Sequence, residues 1–234
     1  MAKGVKMLIG FTVTALAGLW LYERLPAQYN PFAPLSIDDP PTLVTRYKLR
    51  QMANHPQTCL ALLEQAAERQ QLRFGPVPNT EGTCPLTDVV RVQSFGEISL
   101  SSSFLASCPL ALSATMFIHQ RAAPLAKTTF GSPLTRVNHL GSYACRNIYN
   151  RKDARLSEHA TADALDISGF GFANKQQVSV VKGWQASGRG RGSEYLHTAF
   201  DAACPFFGNS LGPEYNAAHA NHFHLGMRGY GLCR

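Results

Sequence analysis

At 234 residues the chain holds enough material for one sizeable domain with an appendage. Hydrophobic residues make up 45% of it and charged residues 16%, a balance that excludes a disordered polymer. The formal net charge is +7, which suits an anionic wall or membrane surface; with no dense Lys/Arg block and no aromatic ladder, no nucleic-acid partner is expected.

The chain opens with Lys3 and Lys6, then runs uncharged from 7 to 22 as MLIGFTVTALAGLWLY. A basic flank before an apolar span has the form of a secretion signal. Ala-Leu-Ala at 15–17 could serve as a cleavage site, but the apolar run continues to Trp20 and Tyr22, residues suited to a membrane interface. Residues 1–22 therefore predict an uncleaved signal anchor: a single N-terminal pass through a bacterial inner membrane, with the domain in the periplasm. Residues 23–44, rich in Pro and turn formers, predict an extended tether, and the domain is expected over 45–234.

Within the domain, helical spacing of apolar residues predicts a helix over 56–72, and 77–85 reads as loop. Short strands are expected at 88–93 and 97–102. A second helix is expected over 108–127, with Pro109 in its first turn. His119 on that helix reads as a helix-face or core histidine. Strands are expected at 134–146, 162–170 and 178–184, a third helix at 192–207, and a last strand at 219–227. GRGRGS at 188–193 lacks the Gly-Lys-Ser/Thr ending of a phosphate loop and reads as a surface loop. Trp184 and Tyr195 could line a groove, but aromatic core is the simpler reading of each. Helices and strands mix without a βα rhythm, so the class is α+β.

Six cysteines in a chain expected outside the cytosol predict disulfides. None forms a Cys-x-x-Cys pair. Pairing neighbours in sequence gives Cys59–Cys84, Cys108–Cys145 and Cys204–Cys233. There is no Gly-x-Ser-x-Gly elbow and no Ser-x-x-Lys, so serine-peptidase chemistry has no support.

Two stretches carry the chemistry. In SEHATADALD (157–166), His159 enters a strand that bears Asp166. In HANHFH (219–224), His222 and His224 are two apart and share one face of a regular strand, with His219 near its start. Imidazole and carboxylate are zinc donors, and an open catalytic site needs three protein ligands. His159 and Asp166 supply two; the last strand can supply the third. Each of these residues taken alone reads as a surface histidine or a backbone-bonded aspartate.

SEHATADALD resembles the Ser-x-His-x-x-Gly-x-Ala-x-Asp signature of zinc D,D-peptidases of the hedgehog/DD-peptidase fold, with Ala162 in the glycine position. HANHFH resembles the closing His-x-x-His-x-His of the penicillin-insensitive murein endopeptidases. Over 50–234 the chain is similar to the bacterial extensin-like C-terminal domain family, through GSYACR (141–146), HATADALDISGF (159–170), LGPEYNAAHANHFHLG (211–226) and the final CR. These resemblances imply a small antiparallel sheet with flanking helices, stapled by disulfides. They imply zinc held by His159, Asp166 and His224, with His222 and His219 as catalytic groups beside the water. Related carboxypeptidases close with Glu-x-x-His instead; that alignment makes His222 the ligand and puts His219 where a glutamate base belongs. Glu158, Glu214 and Asp163 lie nearby in sequence, but none matches that position. Arg146 could clamp a peptide carboxylate with its planar fork, and Ser157 could orient the site through its hydroxyl. The expected activity is zinc-dependent cleavage of peptide bonds in peptidoglycan stem peptides or cross-links. The alternative is a non-catalytic, zinc-stabilised wall-binding or scaffold module. An activating protein partner stays open.

Overall fold

The computed structural model describes residues 24–185, 190–229 and 231–234, together with scattered positions from 7 to 22. Among the described residues no helix is long and apolar enough to cross a membrane. This corrects the expected single inner-membrane pass and the periplasmic placement built on it. The physical reason is length: an uncharged run of sixteen residues would span about 24 Å if it were helical, against a hydrocarbon core of about 30 Å. Several positions of that stretch lie outside the described residues.

The fold is α+β, with helices packed on a mixed, mostly antiparallel sheet and three disulfides. The first helices are α1 (Leu43–Gln51) and α2 (Pro56–Glu68). Pro56 starts α2 where its missing N–H costs nothing, and Cys59, Leu63 and Ala66 form its buried face. Helix α3 (Cys108–Phe117) is buried at every position, so it is the central rod of the core. A π-helical turn, Ile118–Ala122, leads from it into α4 (Ala123–Phe130). Pro124 has no N–H for the preceding turn, and the wider turn absorbs that loss. His119 sits in this turn and bonds the Gln71 carbonyl oxygen at 2.7 Å, a helix-face role.

The Pro-rich stretch lies along this helical layer. Leu35 and Ile37 are buried in the core, and Gln120 donates to the carbonyl oxygens of Ile37 and Asp39.

Nine strands among the described residues form one sheet: β1 (Arg73–Pro76), β2 (Val89–Phe95), β3 (Ile98–Ser107), β4 (Leu134–Gly141), β5 (Ala164–Phe172), β6 (Gln177–Ser179), β7 (Asn209–Leu211), β8 (Phe223–Gly226) and β9 (Leu232–Cys233). Eight of them follow the order β1-β2-β3-β4-β5-β8-β7-β9, and β6 pairs with β5 off this path. Strand β5 is the axis. One edge carries β4; the other is shared by β8, which pairs with Ala164–Ile167, and β6, which pairs with Gly169–Gly171. The expected strand over 178–184 is therefore cut short. After β6 the chain turns into helix α5 (Val180–Gly183), and Trp184 packs inward against His197 and Phe200. Helix α6 (Arg191–Ala203) follows; Tyr195, Leu196, Ala199, Phe200 and Ala203 face the core at helical spacing. The loop expected at 188–193 lies partly outside the described residues, and Arg191, Gly192 and Ser193 belong to α6.

The disulfides are Cys59–Cys108, Cys84–Cys145 and Cys204–Cys233. The third is as expected; the other two correct the neighbour pairing. Packing of α2 on α3 brings the Cα atoms of Cys59 and Cys108 to 6.0 Å, and the 77–85 loop reaches Cys145 at 5.6 Å.

Candidate metal centre

The centre is built where β5 meets β8. Asp166 and His224 are direct cross-strand partners in that register. Side chains opposed in this way leave the sheet about 5 Å apart on one face, so two donors stand side by side before any loop is considered. His159 arrives from the 3₁₀ turn Glu158–Thr161 that precedes β5. The Ser157 hydroxyl caps this turn by accepting from His159 N. Ala162 closes it in a left-handed conformation (φ 54°, ψ 32°), at the position where the peptidase signature has glycine.

The segment 141–146 braces the turn from outside. Ser142 O accepts the Nδ1–H of His159 at 2.8 Å, Ala144 N donates to His159 O, and Ser157 N donates to Arg146 O. The Cys84–Cys145 disulfide ties this segment down. Because a carbonyl can only accept, Nδ1 of His159 carries the proton and Nε2 keeps its lone pair.

Donor atoms of three residues then converge. His159 Nε2 lies 3.2 Å from His224 Nδ1 and 3.3 Å from Asp166 Oδ2, and His224 Nδ1 lies 3.0 Å from Asp166 Oδ1. Donors about 2.0–2.1 Å from a common ion at tetrahedral angles are about 3.3–3.4 Å apart. These side chains fit one small divalent cation. His224, not His222, completes the three-residue cluster. His222 stands beside it, with Nε2 3.5 Å from Asp166 Oδ1.

The electrostatics follow the geometry. Burial alone would raise the Asp166 carboxyl, but the adjoining His159 and His224 imidazoles outweigh it and hold the group well below the ordinary carboxylate range. Burial disfavours charge on His224, yet the Asp166 and Glu158 carboxylates raise its pKa to about 9 without metal. Burial and the neighbouring His224 and His222 press His219 down to about 4. His222 is also lowered, first by burial, against an upward pull from Asp166.

The cluster opens into a cleft of about 380 Å³. His159, Asp166, His224, His222, His219, Arg146 and Ser157 all line it, so the residues singled out in the sequence meet at one place. His219 comes from a 3₁₀ turn (Ala217–His219) and His222 from the loop just before β8, so the regular strand begins later than expected. Their Nδ1–H groups donate to Asn216 Oδ1 and Asn221 Oδ1, each at 2.8 Å, which leaves both Nε2 atoms unprotonated.

Sequence reasoning missed Glu158 as part of the site. Its Oε2 lies 3.3 Å from His224 Nε2, and it also meets Asn209 and Arg228. Adjacency to His159 was its one available signal. Arg155, Tyr149 and Tyr215 on the rim were missed as well.

Comparison with curated proteins and with solved structures finds no significant match. The family described as extensin-like protein C-terminus matches residues 57–234, a span that contains the sheet, the three disulfides and every donor of the centre. The chain belongs to the extensin-like protein C-terminus family.

Proposed function

We propose that this protein is a zinc hydrolase that cleaves peptide bonds in peptidoglycan stem peptides or cross-links. One observation carries the reading: the donor atoms of His159, Asp166 and His224 converge, with His159 Nε2 3.2 Å from His224 Nδ1 and the two Asp166 carboxylate oxygens 3.3 and 3.0 Å from those nitrogens. Two imidazole nitrogens and a carboxylate oxygen suit zinc, and three protein ligands facing a cleft suit a catalytic site more than a closed structural one. The substrate class comes from the resemblance of SEHATADALD and HANHFH to zinc D,D-peptidases and murein endopeptidases.

A bound zinc ion supplies Lewis acidity, polarising the scissile carbonyl and acidifying a water. The remaining work belongs to the chain. His222 is neutral near pH 7 because burial lowers it, and its Nε2 is the free base. It takes the proton of the attacking water and returns it to the departing amine. His219, with its ring 5.3 Å from that of His222, keeps a second neutral imidazole beside the proton path. Arg146 lines the cleft with no carboxylate partner among the described residues, so its fork is free for a peptide carboxylate. Ser157 holds the His159 turn.

A second reading, a zinc-stabilised wall-binding module without catalysis, is favoured by one observation. Among the described residues lining the cleft, the carboxylates are Glu158 and Asp166, and both are already engaged. No free carboxylate base remains. The purified protein separates the readings when its zinc is quantified and it is incubated with peptidoglycan, with products identified by mass. A hydrolase releases peptide-bond fragments, and His222→Gln keeps zinc while losing about 10²–10⁴-fold in rate. A binding module retains zinc and wall affinity and releases nothing.

A further inference from the structure

We infer that Glu158 is the positioning residue of this centre: its carboxylate fixes the ring orientation and tautomer that present His224 Nδ1 to the metal. The inference rests on the zinc reading above. Glu158 Oε2 sits on His224 Nε2 at 3.3 Å, on the ring nitrogen away from the donor triangle. An ionised carboxylate can only accept, so Nε2 carries a proton towards Glu158, and the proton that Nδ1 turns towards Asp166 Oδ1 without metal is the one the ion would replace. Carboxylate–imidazole–metal relays of this kind orient the ligand and raise its basicity.

The carboxylate is itself held on both oxygens. Oε2 also accepts from Asn209 Nδ2 at 2.8 Å, and Oε1 accepts from Arg228 N at 2.7 Å. Three donors, from His224, Asn209 and Arg228, hold the buried carboxylate in place. The Arg228 guanidinium brackets the same turn by donating to Leu156 O and Thr161 Oγ1. The space is carved for the group as well. A Cβ on Gly226 would stand 2.5 Å from Glu158 Oε1, so β8 makes room for the carboxylate by lacking a side chain there.

Charge gives a second argument. With His159 and His224 neutral, the carboxylates of Asp166 and Glu158 together balance one divalent cation. Asp166 alone would leave the buried centre with a net positive charge. A purely structural glutamate would have no reason to end on the free nitrogen of a ligand histidine.

The test compares the parent, Glu158→Gln and Glu158→Ala. Zinc affinity is measured by competition with a chromophoric chelator, the visible spectrum of the cobalt-substituted protein is recorded, and the thermal midpoint is taken without metal. Glu158→Ala is expected to weaken zinc binding about 10–100-fold and to shift the cobalt bands. Glu158→Gln keeps an acceptor but not the charge, so its loss is intermediate while its metal-free midpoint stays near the parent's. If the parent binds zinc and both variants match it within about twofold, with unchanged cobalt spectra, the positioning role is overturned while the centre stands. A Gln variant whose midpoint falls in step with its affinity assigns Glu158 to the fold, which also overturns the role. A folded parent that binds no zinc overturns the centre and this inference together.

Discussion

Two buried polar clusters sit in this domain, and they are built differently. Under the helical layer, Lys48 Nζ donates to Ala27 O at 2.8 Å and lies 3.8 Å from Asp39 Oδ2, which also accepts from Ser36 N. One cation meets one anion, and the protein's own groups supply the hydrogen bonds. At the β5–β8 junction, His159, Asp166 and His224 aim their donor atoms at one another. Backbone and carboxylate partners already occupy the outer nitrogens of both histidines. The first cluster is closed by the chain. In the second, donor atoms of three residues converge on one point, and without metal a proton on His224 Nδ1 stands where a cation would bind. A buried charge cluster points to function when all of its partners are groups that can also ligate a metal.

The largest expected effect separates the two clusters directly. His159→Ala removes one corner of the donor triangle, so zinc content should fall from about one per chain to none, and hydrolysis with it. Lys48→Met should leave zinc content unchanged and strike the fold instead. It strands Asp39 in a buried site, which costs about 3–5 kcal/mol. Adding Asp39→Asn removes the stranded charge and should recover most of that loss, read as the thermal midpoint. A Lys48→Met variant that loses zinc in proportion to stability would erase the distinction.

A smaller effect lies in pH. His219 faces His222, His224, His159 and Asp166 in the metal-free protein, and its folded pKa is about 4 against about 6.5 unfolded. The unfolded chain therefore takes up the proton first. The His219 contribution is complete above pH 6.5 and is lost as pH falls from about 6.5 to about 4. His219→Gln should flatten the acid side of the metal-free stability profile in that window, measured by denaturant midpoints at successive pH values. An unchanged slope would mean that His219 is protonated in the fold.

The two clusters also differ in how well they could be read from sequence. The donor triangle was legible because its residue types are rare in apolar stretches, and a strand places alternate residues on one face. Glu158 was not, because its role depends on a carved gap at Gly226, 68 positions further on. Nothing periodic marks such a gap. The Lys48–Asp39 pair was hidden because Pro-rich composition reads as a tether, while Leu35 and Ile37 supply enough apolar surface to dock it. Disulfide pairing failed where spatial and sequence neighbours differ, since Cys59 and Cys108 meet only through the packing of two helices. VSVVKGW has strand composition, but β8 already occupies the first half of that edge of β5, and only Gln177–Ser179 finds a place.

The smallest expected effect concerns the turn that carries His159. Ala162 is fully buried with φ 54°, beside Leu86 and Val89. Ala162→Gly relieves a left-handed alanine, worth about 1–2 kcal/mol. Against this, it removes a buried methyl worth about 0.8 kcal/mol. It also adds chain freedom to the unfolded state, worth about 0.4–1 kcal/mol. These terms nearly cancel, so stability should stay within about 1 kcal/mol of the parent. Zinc affinity should not move, because the His159 ring is held by Ser142 O and the turn by Ser157 and Arg228. Chemical denaturation and chelator competition on the one variant check both halves. A loss of zinc affinity with unchanged stability would show that the alanine methyl, pressed against Leu86 and Val89, sets the angle at which His159 enters the centre.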